Sequence, residues 1–444
     1  MIEALKNAVT LPDLRRKLLY TLLILIIYRL AAHVPVPGVD QAALNQLLGG
    51  TGGASRLFNL LDMLSGGAVA RFSVMANGVY PYVTATIIVQ LLQPIIPALE
   101  RLGEEGEAGQ QKLNQWTYLM TVPLGLLQAL GQIRLVNAGT TTPVLPNFGF
   151  GSPQNVLSTT SVLVAMTAGT MFAIWLGELI SEQGIGNGLS LIIFSGIVAR
   201  VPQNLISTWT QAQALGSGGV GMGVLMIGIF LVITALTMFV IVVVQEGERR
   251  IPVQYGKRVR GMKMYGGQST HIPLRINTAG MIPLIFAQSI LTFPAVIAQF
   301  FTGSQSPGIA GFATTMMNFF SAQSPWYGLL YFLAVVGFTY FYTDVMVQQQ
   351  DLPGTLKRQG GFIPGIRPGR RTEEYINSIY RRITLIGALF LGGVAVLPYI
   401  VDLFFRTQLL ITSSGLLIVV GTVLDTMRQL EAQLLMRHYE GFIK

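Results

Sequence analysis

Cysteine is absent, and with it go disulfides, thiolate catalysis and thiolate-held metals. Charge is scarce: 11% of the 444 residues are Asp, Glu, Lys or Arg, against about 25% in an ordinary soluble domain. Histidine occurs only as His33, His271 and His438, and no HExxH pair can be drawn. The phosphate-cradling pattern GxxxxGK[ST] is also missing, so any ATP-driven work falls to a partner. What is abundant is apolar: 51% of the residues are hydrophobic, many in runs near the roughly 20 residues that a helix needs to cross a bilayer. The chain reads as one integrated membrane bundle, not as soluble domains on linkers. No cleavable signal peptide is expected: Met1 to Lys17 is a charged amphipathic segment, and no small-residue cleavage site follows the next apolar run.

Ten spans can be drawn: Leu18–Ala32, Phe72–Pro97, Trp116–Val136, Val162–Ile180, Leu189–Ile206, Val224–Val244, Ile276–Ile297, Tyr327–Val347, Ile383–Phe405 and Leu409–Leu424. An even count puts both termini on one side of the membrane. The terminal segments and even-numbered loops hold 23 of the 29 Lys and Arg, and the opposite side holds the remaining 6, so both termini are expected in the cytoplasm. The halves 1–210 and 211–444 share faint features. Gly78-Val79-Tyr80-Pro81 answers Gly280-Met281-Ile282-Pro283, and Ser190-Leu191-Ile192-Ile193 answers Gly415-Leu416-Leu417-Ile418. Five spans per half is odd, so a tandem repeat would be inverted, as in many transport proteins.

Four segments fall outside the spans. Residues 54–67 form an apolar stretch too short to cross, ending in Ser65-Gly66-Gly67. Loops 245–273 and 348–382 are long and basic, and the tail 425–444 is compatible with a helix.

Glu178, Asp344, Asp402 and Asp425 sit at or near span ends, and none lies near a midplane. Ion-coupled transport normally needs a titrating or ligating group at mid-depth. Uncharged polar residues do enter two spans: Thr84, Thr86, Gln90 and Gln93 in the second, and Asn277, Thr278, Gln288 and Ser289 in the seventh. Such stripes serve either as helix–helix glue or as a seam weak enough to part. The basic loops are longer than orientation requires. Gly360 to Gly369 is a Pro- and Gly-shaped turn tipped with Arg367, suited to an acidic or nucleic-acid surface.

At these residues a resemblance becomes specific. Gly361-Phe362-Ile363-Pro364-Gly365-Ile366-Arg367-Pro368-Gly369 is similar to the loop between helices eight and nine of the SecY family. Arg249-Arg250-Ile251-Pro252-Val253-Gln254-Tyr255 with Tyr265-Gly266-Gly267-Gln268-Ser269-Thr270 resembles its loop between helices six and seven. Gly184-Ile185-Gly186-Asn187-Gly188, Ser65-Gly66-Gly67 and Gly280-Met281-Ile282-Pro283 match in register, across nearly the whole chain. Val79, Val83 and Met281 depart mildly from residues common in that family.

The resemblance implies an all-α membrane protein whose ten helices form two inverted halves of a clam-shell protein-conducting channel. It implies a waist of Val79, Val83, Ile87, Ile193, Ile197, Ile282, Ile285 and Ile418. It implies a plug over Leu57, Phe58, Asn59, Leu60, Leu61, Asp62, Met63, Leu64, Ser65, Gly66 and Gly67. A lateral gate would involve Thr84, Thr86, Gln90, Asn277, Thr278, Gln288 and Phe293. Motor or ribosome docking would use Arg249, Arg250, Lys257, Arg258, Lys357, Arg358 and Arg367. Implied partners are SecE and SecG subunits, the SecA ATPase, the ribosome through its rRNA, secretory polypeptides with their signal sequences, membrane lipid, and SecDF and YidC. The implied location is the cell inner membrane. No cofactor, metal or enzymatic activity is expected. The alternatives are an inverted-repeat secondary transporter of a small solute, which lacks mid-span titrating groups here, and a structural scaffold, which has no need of the long basic loops.

Overall fold

The second expected span is not one continuous helix. In the computed structural model, residues 67–79 form a chain of turns, and the helix begins only at Tyr80. The structure describes residues 10–40, 42–44, 67–93, 95–138, 143–149, 152–214, 219–255, 258–260, 263–265, 269–301, 307–320, 324, 326–350, 352–367, 369–405 and 413–440. The helices are α1 (Pro12–Ala31), α2 (Tyr80–Leu92), α3 (Pro97–Glu104), α4 (Glu107–Ala138), α5 (Pro153–Gln183), α6 (Gly188–Ala214) and α7 (Gly219–Glu246). After strands β1 (Glu248–Tyr255), β2 (Arg258–Arg260), β3 (Lys263–Tyr265) and β4 (Ser269–Arg275) come α8 (Ile282–Phe301), α9 (Pro307–Phe319), α10 (Tyr327–Gln350) and α11 (Leu352–Gln359). Strand β5 (Gly361–Phe362), α12 (Arg370–Phe405) and α13 (Ser413–Glu440) complete the chain.

Each expected span overlaps one of these helices. Among the described residues, Pro153–Gln183, Ile227–Glu246, Tyr327–Gln359 and Arg370–Leu397 are long and apolar enough to cross a bilayer singly. Tyr80–Leu92 with Pro97–Gly103 qualifies as a pair bent by 104°. The bend has a sequence cause, since Pro94 and Pro97 each remove a backbone donor and Pro97 fits at the start of a new helix. Leu231, Val232, Leu236, Phe239 and Val243 on α7 are all exposed. So apolar a surface fits lipid, where only internally hydrogen-bonded backbone is tolerated.

The chain packs as two compact units, residues 1–227 with 289–327 and 422–444, and residues 228–288 with 328–421. In the first, the turns of 67–79 are held inside a core of Val36, Leu44, Phe72, Ile133, Val144 and Met166. Phe72 has φ +46, a strained conformation for a bulky residue, and its side chain is completely buried. Backbone bonds from Val36 to Phe72 and from Val74 to Val34 fix that turn. The segment is ordered by packing and local bonds, which explains why an apolar stretch read as helix is not helical.

The first unit also uses close backbone approach. A Cβ on Gly188 would lie 1.8 Å from the Gly177 carbonyl oxygen, and one on Gly169 would lie 2.1 Å from that of Val74. Small residues of this kind let membrane helices meet where no hydrophobic force drives them together.

In the second unit, the two basic loops are folded together. Strand β1 pairs antiparallel with β4, with Ile251 opposite Ile272, and also with β5, with Gln254 opposite Phe362. The sheet covers a core of Ile251, Val253, Leu274, Leu356, Ile363, Ile376 and Ile379. Strands β2 and β3 form a separate hairpin. The seventh span is shorter than expected, because β4 runs to Arg275 and the chain turns through Gly280, at φ +65, before α8 starts. Three further helices, α3, α9 and α11, were not expected from the sequence.

Candidate functional site

The aliphatic residues expected at a channel waist recur at helical spacing. Val79, at the N-cap of α2, is followed at intervals of four by Val83 and Ile87 on that helix, and Ile193 and Ile197 are four apart on α6. Residues so spaced share one face. Val79, Ile87, Ile193 and Ile197 are buried, and Val83 is half-buried. These five belong to the first unit. Ile282 and Ile285, half-buried, and Ile418, buried, belong to the second. Of the expected plug, Leu57 to Gly66 lie outside the described residues. Gly67 has φ +89, and a Cβ there would lie 3.6 Å from Arg200 Nε.

The polar residues expected at a lateral gate divide by role. The Thr84 and Thr86 hydroxyls donate to the Tyr80 and Tyr82 carbonyls of their own helix. Gln128 Nε2 on α4 donates to Thr84 Oγ1 at 3.4 Å, so α2 is tied to α4. Buried Gln90 Oε1 has no hydrogen-bond partner among the described residues. Asn277 and Thr278, expected inside the seventh span, sit instead in the turn before α8. Asn277 Nδ2 donates to the Gly280 carbonyl and Thr278 Oγ1 to that of Arg275. They therefore shape the helix entry. Gln288 is half-buried on α8, and Phe293 lies on the same helix.

Sequence reasoning missed three supports of α2 and α6. Tyr118 donates to Glu178, and the Tyr82 and Tyr118 rings lie 5.6 Å apart, joining α2, α4 and α5. At the turn entering α6, Ile185 N donates to Thr21 Oγ1 and Gly186 N to Gln429 Oε1. Gly186 has φ +94, which suits glycine, and Ile185 is buried with Leu14 and Leu430. The glycine pattern was readable as a turn. The distant Thr21 and Gln429 carry no local signal.

Five of the seven basic residues expected to dock a motor or ribosome lie on one folded platform. Arg249, Arg250, Lys357, Arg358 and Arg367 are all exposed. Strand β1 alternates around Ile251 and Val253, which face the core, so Arg250, Pro252 and Gln254 point away. Arg250 pairs with Glu248 at 2.7 Å, and Arg358 donates to Thr355 Oγ1. The Arg367 loop is braced at both ends. Ile363 is buried and its carbonyl accepts from Ile366 N, and the Arg367 carbonyl accepts from Thr372 Oγ1 on α12. Gly365 at φ +82 and Gly369 at φ +117 supply the reversals that place the arginine at the tip. Lys257 lies outside the described residues, and Arg258 lies on β2. Among the described residues, no group of three or more His, Cys, Asp or Glu side chains is arranged to hold a metal ion.

The family model described as SecY matches residues 73–427. The protein translocase subunit SecY of Streptomyces coelicolor is 42% identical over 449 residues, covering 100% of both chains. That of Thermotoga maritima is 40% identical over 449 residues, covering 100% of this chain and 98% of its own. Among solved structures, a protein-conducting channel superposes with a TM-score of 0.62 at 19% identity, covering 94% of this chain and 91% of that one. The channel in a canine ribosome–channel complex of the endoplasmic reticulum gives 0.61 at 20% identity, with the same coverage. These superpositions show the fold, which is mostly helical. The family match and the apolar helices imply a membrane-embedded protein, and the translocase relatives do not favour the small-solute transporter alternative.

Proposed function

This chain belongs to the SecY family, and from that premise we propose that it is the pore-forming subunit of a protein-conducting channel. It passes unfolded secretory polypeptides across the membrane and releases transmembrane segments sideways into lipid. The observation that carries this reading is the end-to-end match, near 40% identity, to translocase subunits from distant bacteria. It is a channel, not a catalyst, and a bound motor or ribosome supplies the drive.

The division into halves 1–210 and 211–444 follows from the same reading. So do the cell inner membrane location, with both termini in the cytoplasm, and the partners SecE, SecG and SecA. The ribosome joins them because two structural neighbours are ribosome-bound channels. Val79, Val83, Ile87, Ile193, Ile197, Ile282, Ile285 and Ile418 would form the waist. A narrow aliphatic constriction dewets and stops ions, while its side chains can shift around a passing polypeptide. Residues 57–67 would seal it from outside, and α2 and α8 would part as the lateral gate. The exposed arginines of the platform would receive the acidic or phosphate-bearing surface of the driver, with Arg367 foremost because its loop is held in place.

The test is reconstitution of the full chain with SecE and SecG in vesicles, with SecA and ATP, and measurement of protease-protected preprotein. No protection, where a translocase of known activity gives it, would remove the functional reading. Replacing Ile193, Ile197 and Ile285 together by Ser should raise resting ion conductance. An unchanged, tight membrane would show that they only pack. Thr84→Cys with Phe293→Cys should cross-link under mild oxidation and block export until reduced. Export that continues through the cross-linked protein would remove the proposed gate.

A further inference from the structure

Helix α9 is too short to cross a bilayer, yet it exposes an apolar face. Its 13 residues make about 20 Å of helix, against roughly 30 Å of hydrocarbon. Ile309, Phe312, Met316 and Phe319 recur at spacings of three and four, so they line one face. Ile309 is 48% exposed, Phe312 67% and Phe319 43%, while Met316 is half-buried. Ala313, at the edge of that face, is buried and packs on the protein. Thr314, Thr315 and Asn318 take the far side and are exposed. The helix therefore has a packed edge, an open apolar face and a polar face.

The polar face carries no charge, and no Asp, Glu, Lys or Arg occurs anywhere from Ile276 to Thr343. Two of its hydroxyls are bonded within the helix. Thr314 Oγ1 donates to the Ala310 and Gly311 carbonyls, and Thr315 Oγ1 donates to that of Gly311. At the end of the helix the Phe319 and Phe320 rings meet edge to face at 5.2 Å, and Phe320 N donates to the Met316 carbonyl. Trp326, 60% exposed, stands directly before α10. Tryptophan is favoured at the level of the lipid headgroups. On the ten-span reading, α9 joins the seventh span to the eighth, on the membrane face away from the basic loops.

These features choose the occupant of the apolar face. A protein partner is normally fixed by a polar rim that supplies hydrogen bonds and charge around an apolar centre. The rim of α9 has no charge, and its threonines already bond to their own backbone. Acyl chains ask only for apolar area. We propose that α9 is an interfacial anchor, lying along the membrane surface opposite the basic loops. Ile309, Phe312, Met316 and Phe319 enter the upper acyl chains, and Thr314 and Thr315 face water. Having no charge, the anchor is indifferent to the charge of the headgroups. The side of the membrane rests on the topology of the proposed channel.

The lack of native cysteine makes the test direct. Phe312→Cys, Phe319→Cys, Thr314→Cys and Thr315→Cys are made singly and labelled with a fluorescent dye. The full chain, in its assembled complex, is placed in phosphatidylcholine vesicles, with nitroxide-bearing phosphatidylcholine or aqueous iodide as quencher. Nitroxide lipid should quench the dye at positions 312 and 319, and iodide should not reach it there. The two threonine positions should behave in the opposite way. The pattern should be the same when phosphatidylglycerol is mixed into the vesicles. Ile309→Cys replaces either phenylalanine variant that fails to accumulate. Equal access of iodide to all four positions would place the helix in water. A dye at 312 and 319 that neither quencher reaches would mean that protein covers the face, as a second copy or another subunit. Quenching that appears only with phosphatidylglycerol would make the contact electrostatic. Each of these three results would overturn the proposal. The readout needs no translocation, so its failure is separate from failure of the channel reading.

Discussion

The first unit and the platform of the second hold themselves together by different physics. Around Gly177 and Gly188 the helices α5 and α6 meet backbone to backbone, with no room for one methyl group. The platform buries Ile251, Val253, Leu274 and Ile363 beneath a three-stranded sheet, and its charged side chains face outward. One is membrane packing, in which shape and dispersion replace hydrophobic exclusion. The other is a small water-facing core, built by removing aliphatic surface from water. The contrast predicts opposite sensitivities, to added volume in the first and to lost volume in the second.

The largest effect should come from Gly188→Ala. Its Cβ would meet a backbone oxygen that cannot rotate away, so the helices must separate, at a cost of about 3 kcal/mol, the upper end for overpacking. The amount of protein accumulating in membranes and its melting temperature should both fall sharply. Gly228→Ala, where nothing lies within 4 Å, should leave both unchanged. Equal tolerance at the two glycines would break the comparison.

Ile251→Ala should come next. It removes buried methyl groups from the platform core and should cost about 2 kcal/mol, the low end for such truncations. Protease cleavage should then begin within loops 245–273 and 348–382 while the membrane helices stay protected. Cleavage spread along the whole chain would mean that the platform does not fold as a separate core.

A smaller effect is expected at the polar link between α2 and α4. A double-mutant cycle on Thr84→Val and Gln128→Leu should give a coupling of about 0.6 kcal/mol, the average for hydrogen bonds between membrane helices. A coupling above about 2 kcal/mol would exceed that range and make the link a structural clamp, not a weak contact.

The smallest change in stability should follow Arg367→Glu, within about 0.5 kcal/mol, because the side chain is exposed and only its backbone is braced. Its effect on function should be the reverse, a loss of motor-driven export at normal protein levels. Normal export by this variant would dissociate the platform's arginines from docking.

Much of this architecture was legible from residue patterns, and the misses are instructive. The apolar runs located the helices. Phe72 to Val79 was misassigned because its apolar residues serve a packed turn, and hydropathy cannot tell a buried turn from the end of a buried helix. The strand β1 was hidden by Pro252, which normally argues against a strand. The structure tolerates it because β5 reaches only Gln254 and Tyr255, leaving β1 with a neighbour on one side at Pro252. Helix α9 went unnoticed because its 13 residues are too few to cross a bilayer. Of the candidate site, the aliphatic stripes and Arg367 were readable. The Tyr118–Glu178 contact and the Gln429 anchor of Gly186 were not.

By itself the sequence determined that the protein lives in lipid, roughly where its spans lie, and which side its basic loops should face. Those properties depend on windows of neighbouring residues, since an isolated apolar helix satisfies its own backbone in the bilayer. Only the tertiary structure decided that α2 starts at Tyr80 and α8 at Ile282, that Gly177 and Gly188 share one contact, and that loops about a hundred residues apart join in one sheet at Gln254 and Phe362. A strand has no partner within itself and a close approach has two sides, so neither can be read from one stretch of chain.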